Sequence, residues 1–329
     1  YALGLVYWLY DRDRKPTKNW LKEKFGNRPE IANANIAAIN AGHAFGETIE
    51  VSGETSSYQV MPAPIEPGLY RTITGIEAIS YGLMTGAQKA DLKMTFAGYP
   101  ITPASAILHT LSKLKQFNII TFQAEDEIAA VGAALGASYA GALGVTASSG
   151  PGIALKSETI GLAISVELPL IIINVQRAGP STGMPTKTEQ SDLHQAVLGR
   201  NADSSLVVIS ASTPADNFDV AIEAIRIATK YMTPVMLLTD GYLANGSEPW
   251  QVPNIDDLES IDVKFADKSS VVDGQFMPYL SNKKTLARPW AIPGMKDLEH
   301  RIGGIEKEDV TGNVNYEPDN HHHLLIRFS

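Results

Sequence analysis

Three stretches of this chain carry residue types that chemistry needs, and each follows an apolar run. The first is Tyr99-Pro-Ile-Thr-Pro103. Its two prolines stiffen the turn and present Thr102 at a helix start, where a hydroxyl beside free N–H groups suits an anion, a carboxylate above all. The same pattern serves a threonine that simply caps its helix. The second is Gln123-Ala-Glu-Asp-Glu-Ile-Ala-Ala130, where acidic residues in a first helical turn favour the helix dipole. Beyond them Gly132, Ala133, Gly136, Ala137, Ala140 and Gly141 let another backbone or a flat ligand come close. A glutamate facing such an apolar seam is suited to holding a proton. The third runs from Gln176-Arg-Ala-Gly-Pro-Ser-Thr-Gly-Met-Pro-Thr186 to Asp192. It offers Arg177, a fork-shaped cation matched to a carboxylate, with Ser181, Thr182 and Gly183 as sources of hydroxyl and N–H groups. A mobile surface turn has the same composition, but three such loops at successive strand ends favour a site.

The elements that must position these loops begin at Thr74. Strand patterns at Met94–Ala97, Ile119–Phe122, Leu143–Ala147, Leu170–Val175, Leu206–Ser210 and Pro234–Thr239 alternate with helix patterns at about 104–116, 126–141, 153–166 and 215–231. Wholly apolar strands such as Leu170-Ile-Ile-Ile173 are covered on both faces, which predicts an α/β fold with a parallel sheet between helix layers. Ligands of such sheets sit beyond the carboxyl ends of the strands. Residues 1–55 carry helical patterns, 56–73 read as a Ser-, Thr- and Pro-rich linker, and 74–246 hold the alternation. In 247–329 the pattern lapses, with Thr285 to Gly304 reading as an ordered arm. The apolar run Leu3–Tyr10 precedes Asp11-Arg-Asp-Arg14, which reads as a cut buried element rather than a signal peptide. His321-His322-His323 reads as a solvated tail or tag-like stretch rather than a metal site.

Composition excludes several functions. The 329 residues hold 27 Lys+Arg against 36 Asp+Glu, a net charge of −9, which argues against nucleic acid and anionic membranes. No cysteine is present, so this chain offers no disulfide, no thiolate metal site and no ligand for an iron–sulfur cluster. The uncharged stretch Ile128–Leu155 is long enough to span a membrane, but Gly144 and Ser148-Ser-Gly-Pro-Gly152 break it.

Taken together, Tyr99-Pro-Ile-Thr-Pro103, the Glu-Ile-Ala-Ala-Val-Gly-Ala-Ala-Leu-Gly-Ala-Ser helix from Glu127, and Gln176-Arg…Pro180-Ser-Thr-Gly…Glu189-Gln-Ser-Asp-Leu193 resemble the α subunit of the 2-oxoacid:ferredoxin oxidoreductases. The 2-oxoglutarate branch, with a γ domain fused at the N-terminus, is the most similar. Gly42–Glu47, Asn245-Gly-Ser-Glu-Pro-Trp250, Ala287-Arg-Pro-Trp-Ala-Ile-Pro-Gly294 and Glu299-His-Arg-Ile-Gly-Gly304 extend the resemblance over nearly the whole chain.

The resemblance implies a thiamine diphosphate enzyme whose cofactor is shared between subunits. Residues 1–55 would be the end of a γ-like α/β domain and 74–246 the domain that holds the aminopyrimidine. The remainder would be an arm and the start of a further domain, with the chain cut at both ends. Glu127 would hydrogen-bond the pyrimidine ring nitrogen, with Glu125 as the fallback and Pro100 and Ile101 beside the cofactor. Thr102 and Arg177, with Ser181 and Thr182, would bind the substrate carboxylate. Mg²⁺ and a 4Fe–4S cluster would belong to a β subunit, because the Gly-Asp-Gly motif and the cysteines are missing here. The implied activity is CoA-dependent oxidative decarboxylation of a 2-oxoacid, with ferredoxin as acceptor, in the cytoplasm. Rival readings are a pyruvate-type oxidoreductase, another thiamine-dependent decarboxylase subunit, and a nucleotide-binding or assembly subunit.

Overall fold

Six short apolar runs pair side by side as one parallel sheet. The computed structural model describes residues 1–53 and 56–328, save the side chains of Val51, Ser52 and Phe328. The chain divides into two units, the first ending at Pro67 and the second beginning at Gly68. The boundary expected at residue 55 lies outside the described residues.

The first unit holds three helices, α1 (Ala2–Leu9), α2 (Lys15–Lys24) and α3 (Pro29–Ser52). Glycines let α1 and α3 touch backbone to backbone: a Cβ on Gly4 would overlap the Ile39 carbonyl, and one on Gly42 that of Tyr1. The opening apolar run, expected to be buried, covers only Gly4 and Trp8. Leu3 and Val6 stand about half exposed, because a helix packed on one neighbour buries a single stripe.

In the second unit β1 (Tyr70–Thr74) leads into α4 (Gly75–Lys89), which Thr74 and Glu77 close with a reciprocal capping box. There follow β2 (Met94–Gly98), α5 (Ser105–Leu111), β3 (Ile119–Gln123), α6 (Glu127–Tyr139), β4 (Leu143–Ser148), α7 (Gly150–Val166) and β5 (Leu170–Gln176). Next come α8 (Leu193–Leu198), β6 (Val207–Ser210), α9 (Asn217–Tyr231), β7 (Pro234–Asp240) and α10 (Gly241–Asn245). The sheet order is β3-β2-β4-β5-β7-β6, every pairing parallel. Helix α4 packs on both α5 and α9 on one side, and α6 packs on α7 on the other. Both faces are thereby covered, and β4, β5 and β7 are buried at every residue.

Two helices depart from expectation. Helix α5 stops at Leu111 rather than near 116, where the Ser112 hydroxyl turns back to the His109 carbonyl. Helix α7 starts at Gly150 because Pro151 suits a first turn. Among the described residues no helix is long and apolar enough to cross a membrane.

The remainder comprises β8 (Ser247–Gln251), antiparallel to β1, the short pair β9 (Val271–Val272) and β10 (Gln275–Phe276), and α11 (Pro318–Phe328). Buried anchors hold it to the rear of the sheet. Trp290 Nε1 donates to the Ser138 carbonyl at 3.0 Å, and Arg288 Nε to that of Glu167 at 2.9 Å. Arg327 pairs with Glu167 and Asp309, each at 2.6 Å. The histidine run is exposed to solvent, as expected, but lies on a helix. His321 meets Glu306 at 3.0 Å and His323 meets Asp309 at 3.3 Å. Those carboxylates come from distant sequence, so only folding brings them to the histidines.

Candidate active site

The strand order reverses direction after β2: β3 lies to one side and β4 to the other. The crevice between the carboxyl ends of β2 and β4 is therefore a switch point, the usual place for a ligand in such a sheet. All three stretches singled out in the sequence converge there.

Thr102 ties them together through its backbone. Its carbonyl accepts from Arg177 Nη1 at 2.7 Å and from Ser149 Oγ at 3.3 Å. Helix α5 begins after it, with Ala104 at the cap position and no side-chain cap. Among the described residues the Thr102 hydroxyl makes no hydrogen bond, so it is not spent on capping. Tyr99 and Pro100 are exposed beside it, and Ile101 is half-buried.

Arg177 is buried, and its other terminal nitrogen donates to the Thr182 carbonyl at 2.9 Å. Both of those nitrogens thus clamp loops, while Nε is buried without a partner. Sequence reading gave Arg177 to a carboxylate alone; in the structure it first joins the loops after β2 and β5. Ser181, Thr182 and Gly183 lie exposed on a tight turn. The Ala178 and Met184 backbones bridge across it. The loop is anchored at its far end. Gln190 Nε2 reaches Asp240 at 2.7 Å, Asn174 Nδ2 reaches Asp192 at 3.0 Å, and Asp192 N donates to Gln176 Oε1 at 3.0 Å. Burial pushes the Asp192 carboxyl up from its ordinary range, against the opposing Asn174 bond and with help from Glu189.

The acidic run resolves by position. Asp126 caps α6, its Oδ1 accepting from Ala129 N at 2.7 Å. Glu127 is the first helical residue and is 8% exposed, whereas Glu125 lies open to solvent. Among the described residues no donor binds the Glu127 carboxylate. It rests against Gly152, where a Cβ would overlap Ser148 Oγ and stand 2.9 Å from Glu127 Cγ and 3.0 Å from Oε1. The Ser148 hydroxyl is itself buried and unpartnered. Gly152 makes room for the Glu127 side chain and the Ser148 hydroxyl, and the buried acid keeps free hydrogen-bonding capacity for a group from outside the chain, such as the pyrimidine ring nitrogen that the resemblance implies.

In the seam behind it, Gly141 meets the Ile292 side chain, 2.5 Å from a would-be Cβ, while Gly132 and Gly136 have nothing of this chain within 4 Å. Beside the seam, a Cβ on Gly144 would overlap the Ala134 carbonyl, so this glycine sets α6 on β4.

Sequence reading missed Lys156. It is fully buried, and its Nζ donates to the Glu127 carbonyl at 2.8 Å. Desolvation pulls it down to about 8, against the raising effect of Glu127 and Asp126. The only signal was one lysine four positions after Gly152 in an otherwise apolar helix face.

Residues 85–317 match the family described as "Pyruvate flavodoxin/ferredoxin oxidoreductase, thiamine diP-bdg". The chain is 53% identical over 327 residues to the 2-oxoglutarate oxidoreductase subunit KorA of Mycobacterium tuberculosis, covering 99% of this chain and 49% of that protein. It is 41% identical over 181 residues to the 2-oxoglutarate synthase subunit KorA of Archaeoglobus fulgidus, covering 55% of this chain and 51% of that one. A solved 2-oxoglutarate:ferredoxin oxidoreductase from Magnetococcus marinus, with 2-oxoglutarate, coenzyme A and succinyl-CoA bound, superposes with a TM-score of 0.84 at 33% identity. That likeness covers 99% of this chain and 55% of its counterpart. The chain thus spans about half the length of the relatives it matches. On the match over residues 85–317, the chain belongs to the thiamine-diphosphate-binding family of pyruvate flavodoxin/ferredoxin oxidoreductases.

Proposed function

We propose that this chain is the α-type part of a 2-oxoglutarate:ferredoxin oxidoreductase. It would hold the pyrimidine side of thiamine diphosphate against a β subunit that carries Mg²⁺ and the 4Fe–4S cluster. The observation that carries the reading is the buried Glu127 carboxylate, free of protein donors, at the switch-point crevice. The reaction joins 2-oxoglutarate and CoA to give succinyl-CoA and CO₂, and two electrons leave singly to ferredoxin. A cytoplasmic setting accompanies this reading. Residues 1–55 are then the end of a γ-like domain, 56–73 a linker, 74–246 the pyrimidine-binding domain, and 247–329 an arm leading into a further domain.

The roles follow from placement. Glu127 would exchange a proton with a ring nitrogen of the cofactor, with Glu125, exposed in this chain, as the fallback. Pro100 and Ile101 border the same crevice. Thr102 and Arg177, whose buried Nε has no partner in this chain, would bind the oxoacid carboxylate, with Ser181 and Thr182 on the adjoining loop. Holding that carboxylate fixes the carbonyl carbon for attack and aligns the bond to be broken. Thiamine diphosphate, when bound, supplies the electron sink for decarboxylation.

The complex assembled with its partner subunit, thiamine diphosphate, Mg²⁺ and CoA should reduce ferredoxin or a viologen dye when given 2-oxoglutarate, and much more slowly with pyruvate. No oxoacid-dependent reduction would overturn the reading; faster turnover of pyruvate would move the substrate assignment. In the same assay Arg177→Lys, which cannot keep the two-carbonyl clamp, should raise KM for the oxoacid about tenfold, or about 1.4 kcal/mol of binding. An unchanged KM would separate Arg177 from the substrate.

A further inference from the structure

We infer that Lys156 is the positioning residue for Glu127: its buried ammonium clamps the first backbone carbonyl of α6 and sets the charge balance in which the Glu127 carboxylate exchanges its proton. The inference rests on Glu127 being the cofactor's acid.

Helix α7 reaches Glu127 twice, one turn apart. Gly152 clears the space for the carboxylate, and Lys156 bonds the carbonyl of the same residue at 2.8 Å. A fully buried ammonium is an expensive way to hold one carbonyl, since an uncharged donor would do the same at far less desolvation cost. Its charge therefore needs a use, and the charged groups facing it are the Glu127 and Asp126 carboxylates from α6. The Asp126 carboxylate is committed to capping α6. Among the strands beneath, β4 and β5 carry no charged residue. The one acid of β7, Asp240, is taken up by Gln190 and by the backbone N–H groups of Tyr242 and Leu243. The positive charge thus biases the electrostatics at the Glu127 carboxylate, the group that would exchange a proton with a ring nitrogen. When Lys156 deprotonates near its lowered value of about 8, that bias ends while the hydrogen bond remains.

The test uses the assembled complex stripped of thiamine diphosphate, as wild type, Lys156→Met, Lys156→Gln and Glu127→Gln. Calorimetric titration with thiamine diphosphate and Mg²⁺ from pH 6.5 to 9.5, in buffers of different ionisation enthalpy, reads affinity and protons exchanged. Steady-state assays read kcat and KM. The expected wild-type result is a change in proton exchange and a fall in kcat centred near pH 8. Lys156→Met should lose that transition, bind the cofactor about fivefold more weakly and lower kcat about tenfold, with KM for the oxoacid within twofold. Lys156→Gln should also lack the transition. A wild-type profile flat through pH 8, or a transition that persists in either lysine variant, overturns the inference. Wild-type cofactor affinity and kcat in Glu127→Gln would instead overturn the parent assignment.

Discussion

Replacing Glu127 with alanine should lower kcat of the assembled complex at least a hundredfold, within the roughly 10²–10⁴ that a positioned acid–base group contributes. The fold should survive, because the Asp126 cap is untouched and Asp126 still faces Lys156, although the buried ammonium loses one of its two compensating carboxylates. Circular dichroism therefore stays near wild type and the melting temperature falls modestly while turnover collapses. The reciprocal experiment leaves Glu127 in place and crowds it. In Gly152→Ala the new methyl overlaps Ser148 Oγ and stands 2.9 Å from Glu127 Cγ. The Ser148 hydroxyl must turn aside, and the Glu127 carboxylate, with Oε1 3.0 Å from the methyl, is crowded as well. Adding Ser148→Ala relieves the first clash but not the second. The double variant should regain stability without regaining activity, a coupling that a purely structural role for Gly152 would not produce. Full activity in Glu127→Ala would end the cofactor assignment.

Much of this architecture was legible from the residues. The strands follow from short apolar runs, because a parallel strand covered on both faces leaves no position for polar alternation. Leu170–Gln176 and Pro234–Asp240 show that rule at every residue. What stayed hidden depended on contacts between distant segments. His321 and His323 are exposed as expected, but their pairing with Glu306 and Asp309 was hidden because those carboxylates lie upstream in the chain. Arg177 looked free because backbone carbonyls, its actual partners, leave no mark in side-chain chemistry. Leu3 and Val6 looked buried because a run of apolar residues does not say which stripe a helix will cover. Glu127 and Glu125 are alike in type; the helix start at Glu127 turns one inward and leaves the other in solvent. Lys156 was the largest omission, since a lysine in a helix is nearly always a surface residue.

That lysine should also make the protein less stable than it needs to be. At neutral pH, Lys156→Met should raise the unfolding free energy of the chain by about 2 kcal/mol, the reverse of the usual effect of a core substitution. The sign follows from linkage. In the unfolded chain the group titrates near 10.5, and in the folded chain near 8, because burial disfavours the ammonium. Between those values the unfolded state binds the proton and the folded state does not, so wild-type stability falls as pH drops from 10.5 toward 8. Below 8 the full penalty is present, about 3 kcal/mol at about 1.4 kcal/mol per unit. Methionine avoids it but strands the Glu127 carbonyl, which costs about 1 kcal/mol. The advantage of the variant should therefore hold below pH 8, shrink above it, vanish near pH 10 and then reverse. Urea unfolding of wild type and variant at pH 7, 9 and 10 reads this directly. A variant less stable than wild type at pH 7, or a difference that ignores pH, would show that the buried ammonium is not strained. If the gain appears, a group that costs stability is retained beside Glu127, as expected where a site, not the core, dictates the residue.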